Sequence, residues 1–350
     1  MTSDVQTAPT GRPDSVQRSI GWRDALRWEG GLVVVLIAVL IFGSAQSSSF
    51  LSQSTIFYAG INIGYIALMA LPMTFIIMTG EIDLSVASML GLAGSLMGFL
   101  WHHGWGIWPA IIAALVVGAL GGALNGVLVA YTALPSIAVT IGTLTLFRGV
   151  AQILLGSLTV PGVGDPQFPD SMTKIGTQSI PGGALSYSTV LFLVLALLAG
   201  IVLHATPFGR ALHAIGLQPE AASFSGVRVA WVKFCLFVVS GLICAVAGVL
   251  LTLQNASVSY TAGTGLELNV VAIVLFGGVS IFGGKGTIFG VLLSVIIFGA
   301  LQMILTQTHV EAEKQLVITG LLLLISVIVA NGRELLSRVR SRLAVGGGSR

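Results

Sequence analysis

Residues 84–147 read LSVASMLGLAGSLMGFLWHHGWGIWPAIIAALVVGALGGALNGVLVAYTALPSIAVTIGTLTLF, from Leu84 to Phe147, without one Asp, Glu, Lys or Arg. About 20 apolar residues cross the hydrocarbon core of a bilayer as a helix, so a stretch of this kind holds membrane spans. Outward from it, residues 30–80, 175–209, 234–266 and 286–310 are equally free of charge. Charged residues make up 8% of the chain and apolar ones 55%, with mean hydropathy +0.98, against about 25% charged in soluble domains. No period-two alternation appears, which argues against an outer-membrane barrel. The expected fold is an all-α polytopic membrane protein.

Ten spans are expected, over residues 28–47, 56–78, 84–101, 108–131, 136–156, 187–205, 233–253, 268–283, 286–305 and 315–331. Basic residues set the orientation. Arg12, Arg18, Arg23 and Arg27 precede the first span; Arg210, Arg228 and Lys233 flank a long loop; Lys285 sits in a turn; Arg333, Arg338, Arg340 and Arg342 follow the last. With ten spans all four groups fall on the cytoplasmic side, and both termini with them. The chain then divides into a cytoplasmic tail, 1–27, a transmembrane domain, 28–332, and a second cytoplasmic tail, 333–350. The net charge of +3 reflects this orientation and gives no reason to expect a nucleic-acid partner.

The loop at 206–232 is a basic island in an almost uncharged chain. Pro219 suits the first turn of a helix, Glu220 its positive end and Gly226 its stop, so a two-turn helix is expected there. A short rigid helix between spans is suited to receiving force from a soluble motor. Gly91, Gly94 and Gly98, and Gly118, Gly122 and Gly126, recur at the spacing that lets helix backbones approach closely. Gly43-Ser44-Ala45 after an apolar run resembles a signal-peptidase site, but the long charged leader favours an uncleaved anchor. Cys235 and Cys244 lie about 13 Å apart along one helix and cannot pair with each other.

No energy source of its own is visible in the chain. Gly283-Gly284-Lys285-Gly286-Thr287 fails as a phosphate loop, because Val279 stands where glycine is needed and Gly286 where Ser or Thr is needed. Membrane carboxylates that would relay protons or sodium are sparse: Glu81, Asp83 and Glu267. His102 and His103, beside Trp101, Trp105 and Trp108, read as an interfacial belt, since no further metal ligand lies nearby. No catalytic constellation appears, so no enzyme activity is expected, and no cofactor or metal is expected on this chain.

Four stretches together resemble the ribose-type permeases of bacterial ABC importers. They are Thr79-Gly80-Glu81-Ile82-Asp83-Leu84-Ser85, the run from Gly122-Ala123-Leu124-Asn125-Gly126 to Gly142-Thr143-Leu144, the loop Glu220-Ala221-Ala222-Ser223-Phe224-Ser225-Gly226, and Gly277-Gly278 with Gly283-Gly284-Lys285-Gly286-Thr287. The resemblance covers about residues 55–330, and where the family pattern has a second glycine this chain has Glu81. It implies an inner-membrane subunit that pairs with a second permease copy or paralogue, a cytoplasmic ATPase using ATP and Mg, and an extracytoplasmic solute-binding protein. By motif position Glu220, Ala221, Ala222 and Gly226 would carry the ATPase contact; Pro219, Ser223, Arg210 and Arg228 join them from the local chemistry.

Candidates for a translocation path are Asp83, Ser85, Asn125, Thr143, Arg148 and Asn269. Asp83 either caps the third span or belongs to a break in a discontinuous helix. Arg148 either snorkels outward or faces the bundle and bonds substrate or backbone. Neutral polar candidates suit an uncharged polyhydroxylated solute: a pentose, a rhamnose-type deoxyhexose or autoinducer-2. The rivals are an ion-coupled secondary sugar carrier and a membrane scaffold without transport.

Overall fold

The computed structural model describes residues 22–132, 134–162, 165–180, 183–308 and isolated positions between 310 and 324. The tail 333–350, most of the tail 1–27 and most of the expected tenth span, 315–331, lie outside the described residues. Among the described residues twelve helices follow in order: α1 (Trp22–Gln46), α2 (Gln53–Met78), α3 (Val86–His102), α4 (Ile107–Tyr131), α5 (Ser136–Leu155), α6 (Asp170–Thr177), α7 (Tyr187–Ala205), α8 (Pro207–Leu217), α9 (Pro219–Phe224), α10 (Val229–Asn255), α11 (Leu266–Phe276) and α12 (Ile288–Gln307). Among the described residues there is no strand, only two isolated bridges. Seven helices, α1, α2, α4, α5, α7, α10 and α12, are long and apolar enough to cross a membrane; α3 and α11 are apolar but shorter.

Helix α2 is the core of the bundle. Ala67, Leu68, Met69, Ala70, Met73, Ile76, Ile77 and Met78 are fully buried, so it is apolar all round as a central helix must be. Helix α10 packs against α2, α3 and α4. The α4 glycines do what their spacing predicts: a Cβ on Gly118 would lie 2.6 Å from Gly241 O, and one on Gly122 2.3 Å from Phe237 O. Only glycine permits this backbone contact. Helices α1, α4, α5 and α7 turn apolar side chains such as Val34, Leu120, Ile153 and Leu197 outward, the face a lipid-embedded bundle requires.

The two shorter apolar helices, α3 and α11, are each preceded by irregular backbone. Expected as a span over 268–283, the eighth is helical only from Leu266 to Phe276, about 16 Å of rise. It is preceded by the irregular segment 256–265, which runs back down the small-residue face of α3: Val258 meets Gly94 and Gly98, and Gly263 meets Ala87 and Leu90. Gly91 and Gly98 therefore face the irregular chain, whereas Gly94 meets helix α10 first, its Cβ position lying 2.6 Å from Thr252 Oγ1 and 3.3 Å from Val258. The second irregular segment is residues 79–85, before α3. Non-helical backbone within a membrane protein is tolerated where protein surrounds it.

Loops gather at two ends. One end holds the 79–81 turn, α8, α9, the start of α10, the 277–287 turn and the start of α1, where Trp28 Nε1 donates to Phe276 O at 3.2 Å and Thr287 Oγ1 to Glu29 at 2.6 Å. We call it the basic end, for Arg210, Arg228, Lys233 and Lys285. The far end holds the α1–α2 and α3–α4 turns, α6 and Asn255.

Candidate coupling and translocation site

The basic island folds into two consecutive helices where one was expected. Thr206 caps α8, accepting from Gly209 N, and Pro207 occupies its first turn; Pro219 then restarts the chain as the six-residue α9. The signal for α8 was present in Thr206-Pro207 and in Phe208, Leu212 and Ile215 at helical spacing. Leu212 and Ile215 are fully buried against the bundle. At the end of α8, Gly216 fits a gap that no side chain can enter: a Cβ would lie 1.9 Å from Met78 O and 2.2 Å from Gly284 N. Gly284 N donates to Met78 O at 2.8 Å, and His213 Nδ1 lies 3.0 Å from Gly284 O. Helix α8, the end of α2 and the Gly283-Gly284 turn are thus interlocked through backbone.

The opposite face of this arm is open. Arg210, Pro219, Glu220, Ala221, Ser223, Gly226 and Arg228 are exposed, while Ala222 is buried and holds the arm to the bundle. Gly226 has φ +87° with empty space where a Cβ would point, so its glycine serves backbone conformation and not packing. Sequence reasoning passed over Phe224, which is 92% exposed, and Leu217, which is 68% exposed. These two apolar side chains leave an uncovered apolar patch on the arm.

Beside the arm opens a cleft of about 1040 Å³, lined among others by Glu81, Tyr131, Arg228, Trp231 and Lys233. Glu81 and Lys233 form an ion pair with side chains 17% and 15% exposed, tying the break before α3 to the first turn of α10. This accounts for the departure at Glu81. Of Gly80 and Glu81 only Gly80 has a positive φ, +82°, so the next position is free to carry a side chain. Lys233→Glu should destabilise the protein by about 3 kcal/mol, since it leaves a largely buried charge beside its like, and Glu81→Lys with Lys233→Glu should recover most of it. Thermal unfolding in detergent reads both.

Three of the path candidates meet deeper in. Asp83 Oδ1 accepts from Ser85 N at 3.0 Å and Ser85 Oγ at 2.6 Å, and its Oδ2 from Ser240 Oγ at 3.2 Å. Asn125 Nδ2 donates to Ser85 Oγ at 2.8 Å. Ile82 N donates to Ser136 Oγ at 3.1 Å, and Thr140 Oγ1 donates to Ile82 O at 3.2 Å. Ser240 stands 11 residues into α10, so the cluster lies about 16 Å from that helix's start. Ser85, not Asp83, is the N-cap of α3 and no side chain caps that helix, so the expected capping role is not met; Asp83 bonds the Ser85 amide and lies in the irregular segment before α3. Thr143 is buried and donates to Val139 O, within its own helix. Asn269 is half-buried on α11, apart from the cluster.

Arg148 faces the bundle. Its Nη1 donates to Tyr260 O and Ala262 O, each at 2.7 Å, fastening segment 256–265 to α5. At the far end His102 pairs with Asp165 at 3.1 Å, and the Gly162 N–H, with His102, holds that carboxyl below its usual range. No group of three or more metal-ligating side chains occurs among the described residues. Gly283-Gly284-Lys285 forms a turn between α11 and α12.

The family described as branched-chain amino acid transport system / permease component matches residues 55–327. The chain belongs to this family. The resemblance to ribose-type ABC importer permeases is thereby borne out, and the protein is a multi-pass inner-membrane permease component. Among its relatives are the autoinducer 2 import system permease proteins LsrD of Klebsiella pneumoniae, 30% identical over 89% of this chain and 92% of the relative, and LsrC of Salmonella choleraesuis, 32% identical over 87% and 86%. LsrD of Escherichia coli O9:H4 is 31% identical over 86% of this chain and 91% of its own length. No solved structure matches the chain.

Proposed function

We propose that this permease carries a neutral sugar-like solute into the cell by alternating access, driven by a separate cytoplasmic ATPase docked on the outer face of α8 and α9. The observation that carries this reading is the interlock at Gly216, which gives a displacement of the arm a rigid route to α2 and to the turn before α12. The basic end is the cytoplasmic one by its charges, and with a tenth span over 315–331 both termini lie there. In this reading ATP and Mg are bound by the partner ATPase. The substrate class is supported by relatives whose names give autoinducer 2 and by a polar interior of Ser, Thr and Asn; a pentose or a rhamnose-type deoxyhexose fits the same chemistry.

A second permease copy, identical or paralogous, is supported by α5. Thr145 and Gln152 are exposed on that helix, and nothing lies within 4 Å of a Cβ on Gly142 or Gly149. A polar, small-residue face is poorly suited to lipid and well suited to a partner helix or a wet path. An extracytoplasmic binding protein would deliver the solute at the far end.

Vesicles reconstituted with the permease, its ATPase and its binding protein test the reading. Uptake should require all three and ATP, and should survive an uncoupler; uptake by the permease alone, abolished by the uncoupler, would establish the ion-coupled carrier instead. Phe224→Ala should weaken ATPase co-purification by at least about tenfold, as loss of a central aromatic anchor does. Phe224→Leu should keep most of it.

A further inference from the structure

We infer that segment 256–265 is the extracytoplasmic gate of this permease and that Arg148 is its latch. The inference rests on the orientation and importer reading given above. Three observations converge on it.

The first is placement. From Val258 against Gly98 to Gly263 against Ala87, the segment fills the face of α3 over 11 residues, about 16 Å, and stops two residues from Ser85. Its withdrawal would uncover a route from the far end to the buried cluster of Asp83, Ser85 and Asn125. The glycines it covers leave a smooth trough, since a Cβ on Gly98 would lie 2.5 Å from Val258 Cγ1 and one on Gly91 2.7 Å from Ala262 O.

The second is the pair of hinges. Ala256 takes a left-handed conformation, φ 49°, and Gly263 and Gly265 have φ +75° and +87°. A left-handed alanine is strained, and such residues persist where the surroundings hold them. The segment thus begins at a strained residue and ends at two permissive ones.

The third is how it is held. Besides packing, it is fastened by Val160 and Val258, which exchange backbone hydrogen bonds at 2.9 and 2.7 Å, and by the two bonds from Arg148. Both attachments are separable without unfolding a helix. The segment also carries Ser257, Ser259, Thr261 and Thr264, hydroxyls able to exchange hydrogen bonds with a polyhydroxylated solute.

The test uses the full chain with Cys235→Ser and Cys244→Ala, in complex with its ATPase and binding protein. Gly98→Cys with Val258→Cys places two thiols where a disulfide reaches. Oxidation should stop uptake while ATP hydrolysis persists, and reduction should restore uptake. Independently, a thiol at Ser259→Cys reports gate opening through labelling by a membrane-impermeant maleimide. Arg148→Ala should raise the labelling rate at least about tenfold, since two hydrogen bonds from a charged donor are lost, with Arg148→Lys between it and the parent. Oxidised protein that transports at the reduced rate, or inserted Arg148→Ala protein that labels like the parent, overturns the inference. Loss of ATP dependence in the unsubstituted complex would instead overturn the importer reading, leaving the labelling result to judge the gate.

Discussion

Gly216→Val should abolish uptake while leaving the protein inserted in the membrane. The side chain has nowhere to go, because its Cβ would fall 1.9 Å from Met78 O and 2.2 Å from Gly284 N, both backbone atoms of other segments. Flexible neighbours yield to an added methyl; two packed backbones do not. Overpacking of this kind costs about 1–3 kcal/mol, enough to displace an arrangement by about ten- to a hundredfold. The arm would then stand away from α2 and from the Gly283-Gly284 turn, and an ATPase bound to its outer face would push on nothing. Hydrolysis should continue, uncoupled from uptake. Gly200→Ala is the control, since nothing lies within 4 Å of its Cβ and alanine favours helix. Uptake by Gly216→Val at the parent rate would remove the interlock from the mechanism.

Hydropathy and charge made the membrane class and most helices legible, because each long apolar stretch must close its own backbone hydrogen bonds within lipid. The start of α10 was expected at 233 and lies at Val229, an ordinary boundary error. The eighth span was misplaced for a physical reason. Segment 256–265 mixes Ser, Thr and Gly and reads as a surface loop, yet the α3 glycines make room for it inside the bundle. No property of the segment's own sequence announces a trough on another helix. Glycine spacing on α3 and α4 is similar in sequence, and only the partner distinguishes a helix contact on α4 from a mainly loop contact on α3.

The coupling arm shows the same limit at the level of single residues. Pro219, Glu220 and Gly226 mark the start and end of α9 by local chemistry, and α9 stands where they put it. Which residues of the arm face outward depends on how α8 docks, so Ala222 turns inward and Phe224 outward although both lie in one short helix. Asp83, Ser85 and Asn125 were legible as candidates because polar groups in a membrane interior require partners. That they partner one another, with Ser240 completing the set, follows only from packing of α3 against α4 and α10.

Asp83→Ala should be the most destabilising substitution in the chain's interior, and Asp83→Asn should separate two explanations of the carboxylate. Removing the side chain leaves Ser85 N, Ser85 Oγ and Ser240 Oγ without their acceptor in a fully buried setting. Each orphaned donor costs about 1–3 kcal/mol, less than additively where Ser85 Oγ can turn elsewhere, so a total above about 3 kcal/mol is expected. Thermal unfolding in detergent and the yield of inserted protein would both fall. Asparagine keeps one oxygen that can accept from both Ser85 donors and gives up only the acceptor facing Ser240, so its loss should be about 1 kcal/mol. In an importer driven from the cytosol the carboxylate is structural, and Asp83→Asn should transport at a rate near the parent's. If that protein unfolds near the parent's temperature yet carries no solute, Asp83 must move a proton or hold an ion during transport. An uncoupler that stops the parent's uptake at constant ATP would then place the chain among ion-coupled carriers, against the reading favoured by its arm.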